Sequence, residues 1–187
     1  MVFSDEAWVN VGNPRRYYRQ KKEMKPRDII PLEKEQRGPK VMVWVALSKD
    51  GIINIQFING NEDGDAYVEI LEKGLRRYLG EFKSKELIFQ HDLASSHTCN
   101  MANKFFETNG FKPLPWPPQS PDLNLVENVW AVLKANLKLH YNNDKELKED
   151  VGKILLHLKN SYILDLYNSM SKRLLEVIKQ KGGPTKY

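Results

Sequence analysis

The run WPPQSPDLNLVENVWAVLK at residues 116–134 constrains this chain more than any other stretch. Pro115, Pro117 and Pro118 forbid a regular element where it begins, because proline lacks an amide donor and fixes φ. Two helix starts are then available. One has Ser120 as N-cap with Pro121 in the first helical position; the other has Asn124 as N-cap with Glu127 three residues on. Beyond them Val126, Val129, Trp130, Leu133 and Leu137 recur at the spacing of a single helix face. Glu127 lies about 100° round from Val126, beside that apolar stripe with Ala131, Lys134 and Lys138. It is either a capping residue reaching back to Asn124 or a carboxylate held on a rigid helix at the edge of a cleft.

Upstream the periodicity is that of a sheet. Residues 2–11 alternate as a strand does, with Asp5 and Glu6 inside it. Residues 41–47 are apolar at almost every position, the pattern of a central strand buried on both faces. Lys49, Asp50 and Gly51 make a hairpin turn into residues 52–58. That strand is expected to turn Ile53, Ile55 and Phe57 to one side and Asn54 and Gln56 to the other. Asn61 or Asp63 caps a helix carrying Tyr67, Leu71, Leu75 and Tyr78, which stops at Gly80. Residues 87–89 form a short buried strand leading to Gln90, His91 and Asp92. Ser95, Ser96 and His97 precede a helix that Asn109 and Gly110 end. After a short run at 112–114 and the stretch described first, residues 143–181 form two helices. The first carries Leu147, Val151, Ile154, Leu155 and Leu158. The second carries Tyr167, Met170, Leu174, Val177 and Ile178, and both are expected to cover the sheet.

A length of 187 residues suits one domain that buries roughly 70% of its unfolded surface. The single cysteine, Cys99, excludes an internal disulfide and fits a reducing compartment. No apolar run approaches the roughly 20 residues of a membrane span, and the first residues lack the pattern of a signal peptide. A soluble protein of the nucleus or cytoplasm is expected. The net charge of +5 allows an anionic partner without demanding one. Much of the positive charge falls in residues 12–40, where Arg15, Arg16, Arg19, Lys21 and Lys22 surround Tyr17 and Tyr18. Cations interleaved with aromatics suit a nucleic-acid backbone and stacking on bases; they also suit a solvated loop.

Three antiparallel strands, a helix, a strand, a helix, a short strand and another helix make the plan of a ribonuclease-H-like α/β fold, with a mixed five-stranded sheet flanked by helices. In this plan the first and fourth strands are central neighbours, so Asp5 and Asp92 face one another and the helix bearing Glu127 packs alongside. Three carboxylates so close repel unless cations lie between them. Hard oxygen donors suit Mg²⁺ or Mn²⁺, which serve phosphoryl transfer, whereas cysteine and histidine are too sparse for a zinc set.

The chain also resembles a known family, the mariner superfamily of DDE transposases, in the branch with thirty-four residues between the second aspartate and the glutamate, as between Asp92 and Glu127. The motifs are FSDE at 3–6, VMVW at 41–44, FQHD-x4-HT at 89–98, WPPQSPDLN-x2-EN-x-W at 116–130, and SMSKRL with KGGPTKY near the end. The resemblance runs over residues 2–187. It departs from the family pattern at Leu93 (usually asparagine), Leu125 (usually proline) and Val45 (usually glycine). It implies that Asp5, Asp92 and Glu127 bind two Mg²⁺ or Mn²⁺ ions and are catalytic. The implied activity is hydrolysis of DNA at transposon ends, then attack of the freed 3′-hydroxyl on target DNA. The implied partners are those DNAs and a second copy in a full-length homodimer, in the nucleus, with no membrane and no small-molecule substrate. Arg15, Arg16, Arg19, Lys21, Lys22, His97 and Lys134 are the candidate DNA contacts. The family's N-terminal helix-turn-helix region has no counterpart in the sequence, so residues 1–187 are expected to be an isolated catalytic core. The alternatives are a silent domesticated remnant that binds DNA or protein, and a nuclease acting on RNA–DNA hybrids.

Overall fold

Five strands, β1 (Val2–Asn10), β2 (Lys40–Ser48), β3 (Gly51–Ile58), β4 (Ile88–Gln90) and β5 (Lys112–Pro113), form one sheet in the order β3-β2-β1-β4-β5. They belong to a computed structural model that describes residues 1–11, 38–60, 63–76, 79, 88–183 and 185–186. The first three strands are antiparallel neighbours. β4 joins β1 in parallel through Val2↔Phe89 and Phe3↔Gln90, and β5 joins β4 in parallel. The expected pairing of the first and fourth strands is therefore present. It leaves β1 hydrogen-bonded on both sides.

Side chains alternate across this sheet. Phe3 and Val9 of β1 and Val41, Val43, Val45 and Leu47 of β2 enter one core layer, roofed by α3 (Leu125–Asn136), α4 (Asp144–Leu156) and α5 (Asn160–Lys179). Val2, Trp44, Ala46 and Phe89 enter the other, roofed by α1 (Gly64–Leu75) and α2 (Asn100–Asn109). With both faces of β2 covered, its near-continuous apolar run has its explanation. The simple alternation expected of β3 fails at its start. The register jumps from Ala46↔Asn54 to Leu47↔Ile52, which leaves Ile53 as the extra residue of a bulge. Ile53 thus packs in the α1–α2 layer, while Ile52, Ile55 and Phe57 pack in the other.

The helix boundaries follow the local signals. Asp63 caps α1, its Oδ1 accepting from the Ala66 amide at 3.0 Å. Late in α1, Gly74 allows close approach: a Cβ there would stand 2.5 Å from the Trp44 ring. Gly110 ends α2 at φ 72°, the left-handed conformation that glycine adopts without strain. Both helix starts proposed for the 116–134 stretch are used in succession. Ser120 precedes a 3₁₀ turn at Pro121–Leu123, and Asn124 caps α3. On α3 the expected stripe Val126, Val129, Trp130 and Leu133 is buried. On α5 the expected stripe is buried only in part, Tyr167 and Met170 packing against the core. Ile163 and Leu166 are buried, but at the next turns Arg173 goes inward while Leu174 and Ile178 face solvent. Tyr78, Gly80 and the basic residues of the 12–37 segment lie outside the described residues. Among the described residues, no helix is long and apolar enough to cross a membrane.

Candidate active site

Asp5 sits mid-strand in β1, opposite Val45 of β2, on the face covered by α3. Trp130 of α3 donates its indole N–H to Asp5 Oδ2 at 2.8 Å, so one carboxylate oxygen is tied down. Burial is the main force raising its pKa to about 7, against the Trp130 hydrogen bond, and the negative charges of Glu6, Glu127 and Asp92 add to the rise. Both partner carboxylates expected from the sequence therefore lie within the electrostatic reach of Asp5.

Asp92 lies just beyond β4, with its side chain 55% exposed. Its Oδ1 accepts from the Ala94 amide at 2.9 Å and stands 2.6 Å from His97 Nδ1. His97, then the Ala94 amide and the charges of His97 and His91, hold Asp92 below the usual carboxylate range despite partial burial. His97 is not at the surface. It is 2% exposed, and its Nε2 is 3.5 Å from Glu6 Oε2. Nor does it cap α2, since the cap is Cys99. His91, next to Asp92, is buried with Nδ1 2.9 Å from Tyr67 Oη. Burial, and then the charge of His97, push its pKa down to about 4 against the pull of Asp92.

Glu127 is exposed in the first turn of α3. It is not the reciprocal partner in a capping box. The Asn124 amide donates to Pro121 O at 3.0 Å, and Asn124 Oδ1 accepts from Val126. Glu127's carboxylate makes no hydrogen bond or ion pair among the described residues.

Buried polar clamps adjoin all three carboxylates. Ser4, beside Asp5, donates its hydroxyl to Gln90 O at 3.1 Å and so ties β1 to the end of β4. Asn124, three residues before Glu127, donates through Nδ2 to Ser4 O at 3.4 Å. Arg173 of α5 closes the far side, donating to Asp122 O at 2.6 Å, Asn128 Oδ1 at 2.8 Å and Ser169 Oγ at 3.0 Å. The Thr185 amide donates to Asp122 Oδ2 at 2.8 Å. The conspicuous SMSKRL and KGGPTKY motifs thus converge on the loop that starts α3. Sequence patterns gave Asn124 only a capping role and Trp130 only an apolar one, because both residues also satisfy those simpler roles.

Several other candidates have definite places. Lys134 is exposed on α3. Arg15, Arg16, Arg19, Lys21 and Lys22 fall outside the described residues. Leu125, at the first helical position where proline is favoured, is fully buried instead, and Leu93 is solvent-facing. Among the described residues, no three acidic, histidine or cysteine side chains are close enough to form a ready metal cage. The donor set nevertheless suits a hard cation. Among the described residues, Asp5 and Asp92 each have one oxygen held and one without a partner, and Glu127 has both without one. Gln90, paired with Phe3 and so on the face of Asp5, is wholly buried, and its side-chain amide has no partner among the described residues.

Comparison with known proteins places this geometry. Residues 1–148 match the sequence profile of the DDE superfamily endonucleases. The transposable element Tc3 transposase of Caenorhabditis elegans is 30% identical over 196 residues, covering 100% of this chain and 58% of that protein. The chain thus spans little more than half the length of that relative. Among solved structures, the Mos1 mariner paired end complex with Mn has a TM-score of 0.80 at 21% identity, covering 99% of this chain and 56% of that one. The catalytic domain of Mos1 mariner transposase has a TM-score of 0.74 at 19% identity, covering 99% and 83%. The sheet order and the helix layers are those of the mariner transposase catalytic domain's fold, a ribonuclease-H-like one, and the chain belongs to the DDE superfamily of endonucleases.

Proposed function

We propose that Asp5, Asp92 and Glu127 are the catalytic carboxylates and hold two divalent cations, Mg²⁺ or Mn²⁺. The observation that carries this reading is the state of Asp5. A carboxylate raised to about 7 by burial and by three neighbouring carboxylates is short of positive charge at neutral pH. When bound, divalent cations supply an activated water or hydroxyl and stabilise a leaving oxygen in phosphoryl transfer. The chain's own residues prepare that site. Trp130 fixes Asp5 so that Oδ1 is presented, and Ala94 with His97 fix Asp92 so that Oδ2 is presented. With a pKa of about 7, Asp5 is only partly ionised at neutral pH in the cation-free chain, and a bound cation would favour its charged form.

The reaction class is hydrolysis of a phosphodiester to free a 3′-hydroxyl, followed by attack of that hydroxyl on a phosphodiester of target DNA. The relatives are transposases of mobile elements, and the Mos1 complex contains paired ends and Mn, which supports transposon ends as the first substrate. The basic 12–40 segment and Lys134 are proposed as DNA contacts, the full-length protein as a homodimer, and the nucleus as its location. All three carboxylates are retained, and nothing favours a silent remnant.

Nicking of supercoiled plasmid in Mn²⁺ tests this directly. Asp5→Asn, Asp92→Asn and Glu127→Gln are each expected to cut the rate at least 100-fold while staying folded. Wild-type nicking by any one of them would remove that residue from the set.

A further inference from the structure

Asp92 stands on a loop, beyond the last paired residue of β4 and half-exposed, where a short acidic side chain has free choice of rotamer. Its geometry is set by what touches Oδ1. Among the described residues two groups do so, the Ala94 amide and His97 Nδ1. His97 is held in turn. Its amide donates to Ala94 O at 3.0 Å, and its ring lies 4.0 Å from the Tyr67 ring and stacks on His91 at 5.3 Å. Its far nitrogen faces Glu6. Glu6 follows Asp5 on β1, and neighbouring residues of a strand point to opposite faces. The imidazole therefore joins a carboxylate on the α1–α2 side to the half-exposed carboxylate of Asp92 beyond the end of β4.

We propose that His97 is a positioning residue: braced by Glu6, it locks Asp92 Oδ1 and so aims Oδ2 at the cation site. The proposal rests on the reading of Asp5, Asp92 and Glu127 as that site. Groups that orient a ligand in this way typically govern metal affinity by about 10–100-fold. His97 acts on cation binding through Asp92 and needs no contact with DNA.

The test is Mn²⁺ titration of the 187-residue chain, with free Mn²⁺ followed by electron paramagnetic resonance and folding checked by circular dichroism. His97→Phe keeps a ring in the stack and removes both nitrogens, His97→Asn keeps one donor, and Asp92→Asn reports on the site itself. Gly74→Ala, whose added Cβ would meet Trp44 and Gln56 and not Asp5, Asp92 or Glu127, controls for general loosening. Expected are a 10–100-fold weaker affinity for His97→Phe, a smaller loss for His97→Asn, a strong loss for Asp92→Asn and a change within twofold for Gly74→Ala. If His97→Phe fails to fold, a loss of fivefold or more in His97→Asn supports the proposal, and a change within twofold overturns it. Weakening by Asp92→Asn but not by His97→Phe would overturn the positioning role and leave the site standing. Equal weakening by Gly74→Ala would make the effect one of general stability and overturn it too. Unchanged affinity in Asp92→Asn would instead bring down the cation site, and this proposal with it.

Discussion

Asp5 binds its proton far more tightly in the folded chain than in the unfolded one, which makes its charge a measurable load on the fold. Its pKa is about 7 folded against an ordinary 3.8. Below the ordinary value it is protonated in both states. As pH rises toward 7 the unfolded chain releases the proton first, so the stability that Asp5 contributes is progressively lost. His91 has the opposite sign: at about 4 folded against 6.5, it gives up stability as pH falls through 6.5. The two overlap, so the Asp5 contribution is read from a difference. The advantage of metal-free Asp5→Asn over wild type is expected to grow by up to about 4 kcal/mol between pH 4 and pH 8 in urea denaturation. Parallel curves for the two proteins would refute it. Trp130→Phe removes the donor that holds Asp5 and is expected to cost about 1.5–3 kcal/mol at pH 8, where Asp5 is charged, and less at pH 5. At this scale the spacing and motifs of the sequence marked Asp5, Asp92 and Glu127 as candidates, and the other two carboxylates lie within electrostatic reach of Asp5. The sequence did not disclose Trp130's donor role, because a tryptophan on an apolar stripe looks the same whether or not its N–H is used.

Among the elements, α5 departs most from its pattern. Its period marked Leu174 for the core, yet Arg173 goes in and is 1% exposed. A buried guanidinium is tolerable only with its donors satisfied. Here a main-chain carbonyl, an amide oxygen and a hydroxyl satisfy them. Those acceptors lie on three different segments, and no reading of one helix could have anticipated them. Arg173→Met strands the acceptors on the loop before α3 and is expected to cost about 3 kcal/mol or more in chemical denaturation. Arg173→Lys should recover little of this, because an ammonium cannot reproduce the planar fork. A fully stable lysine variant would show that charge alone suffices. On the opposite layer, Gly74→Ala is expected to cost about 1–3 kcal/mol by pressing α1 off Trp44. The bulge at Ile53 was equally hidden, since a register shift belongs to a pair of strands and leaves no mark in either alone.

For the molecule as a whole, the order of elements was enough to give the sheet order, because connection rules leave few ways to arrange three antiparallel strands followed by two parallel ones. What it could not give was the set of ties between distant segments. Tyr167 donates to Met1 O and Leu47 O, at 3.1 and 3.0 Å, and Thr185 reaches Asp122, so residues near both ends of the sequence close onto the sheet and the α3 loop. Deleting residues 181–187 is expected to lower stability by about 1 kcal/mol in urea denaturation, the worth of one such bond; no change would show that Asp122 is held by α5 alone. The same ties set an order of events during translation. Asp5 is made before its partner strand β4, and the arginine that steadies the start of α3 is made after both. A nascent chain cut short before Arg173 carries every acidic side chain of the site but lacks the brace that holds them in register. Chains that stop before Arg173 are therefore expected to be poor at engaging metal.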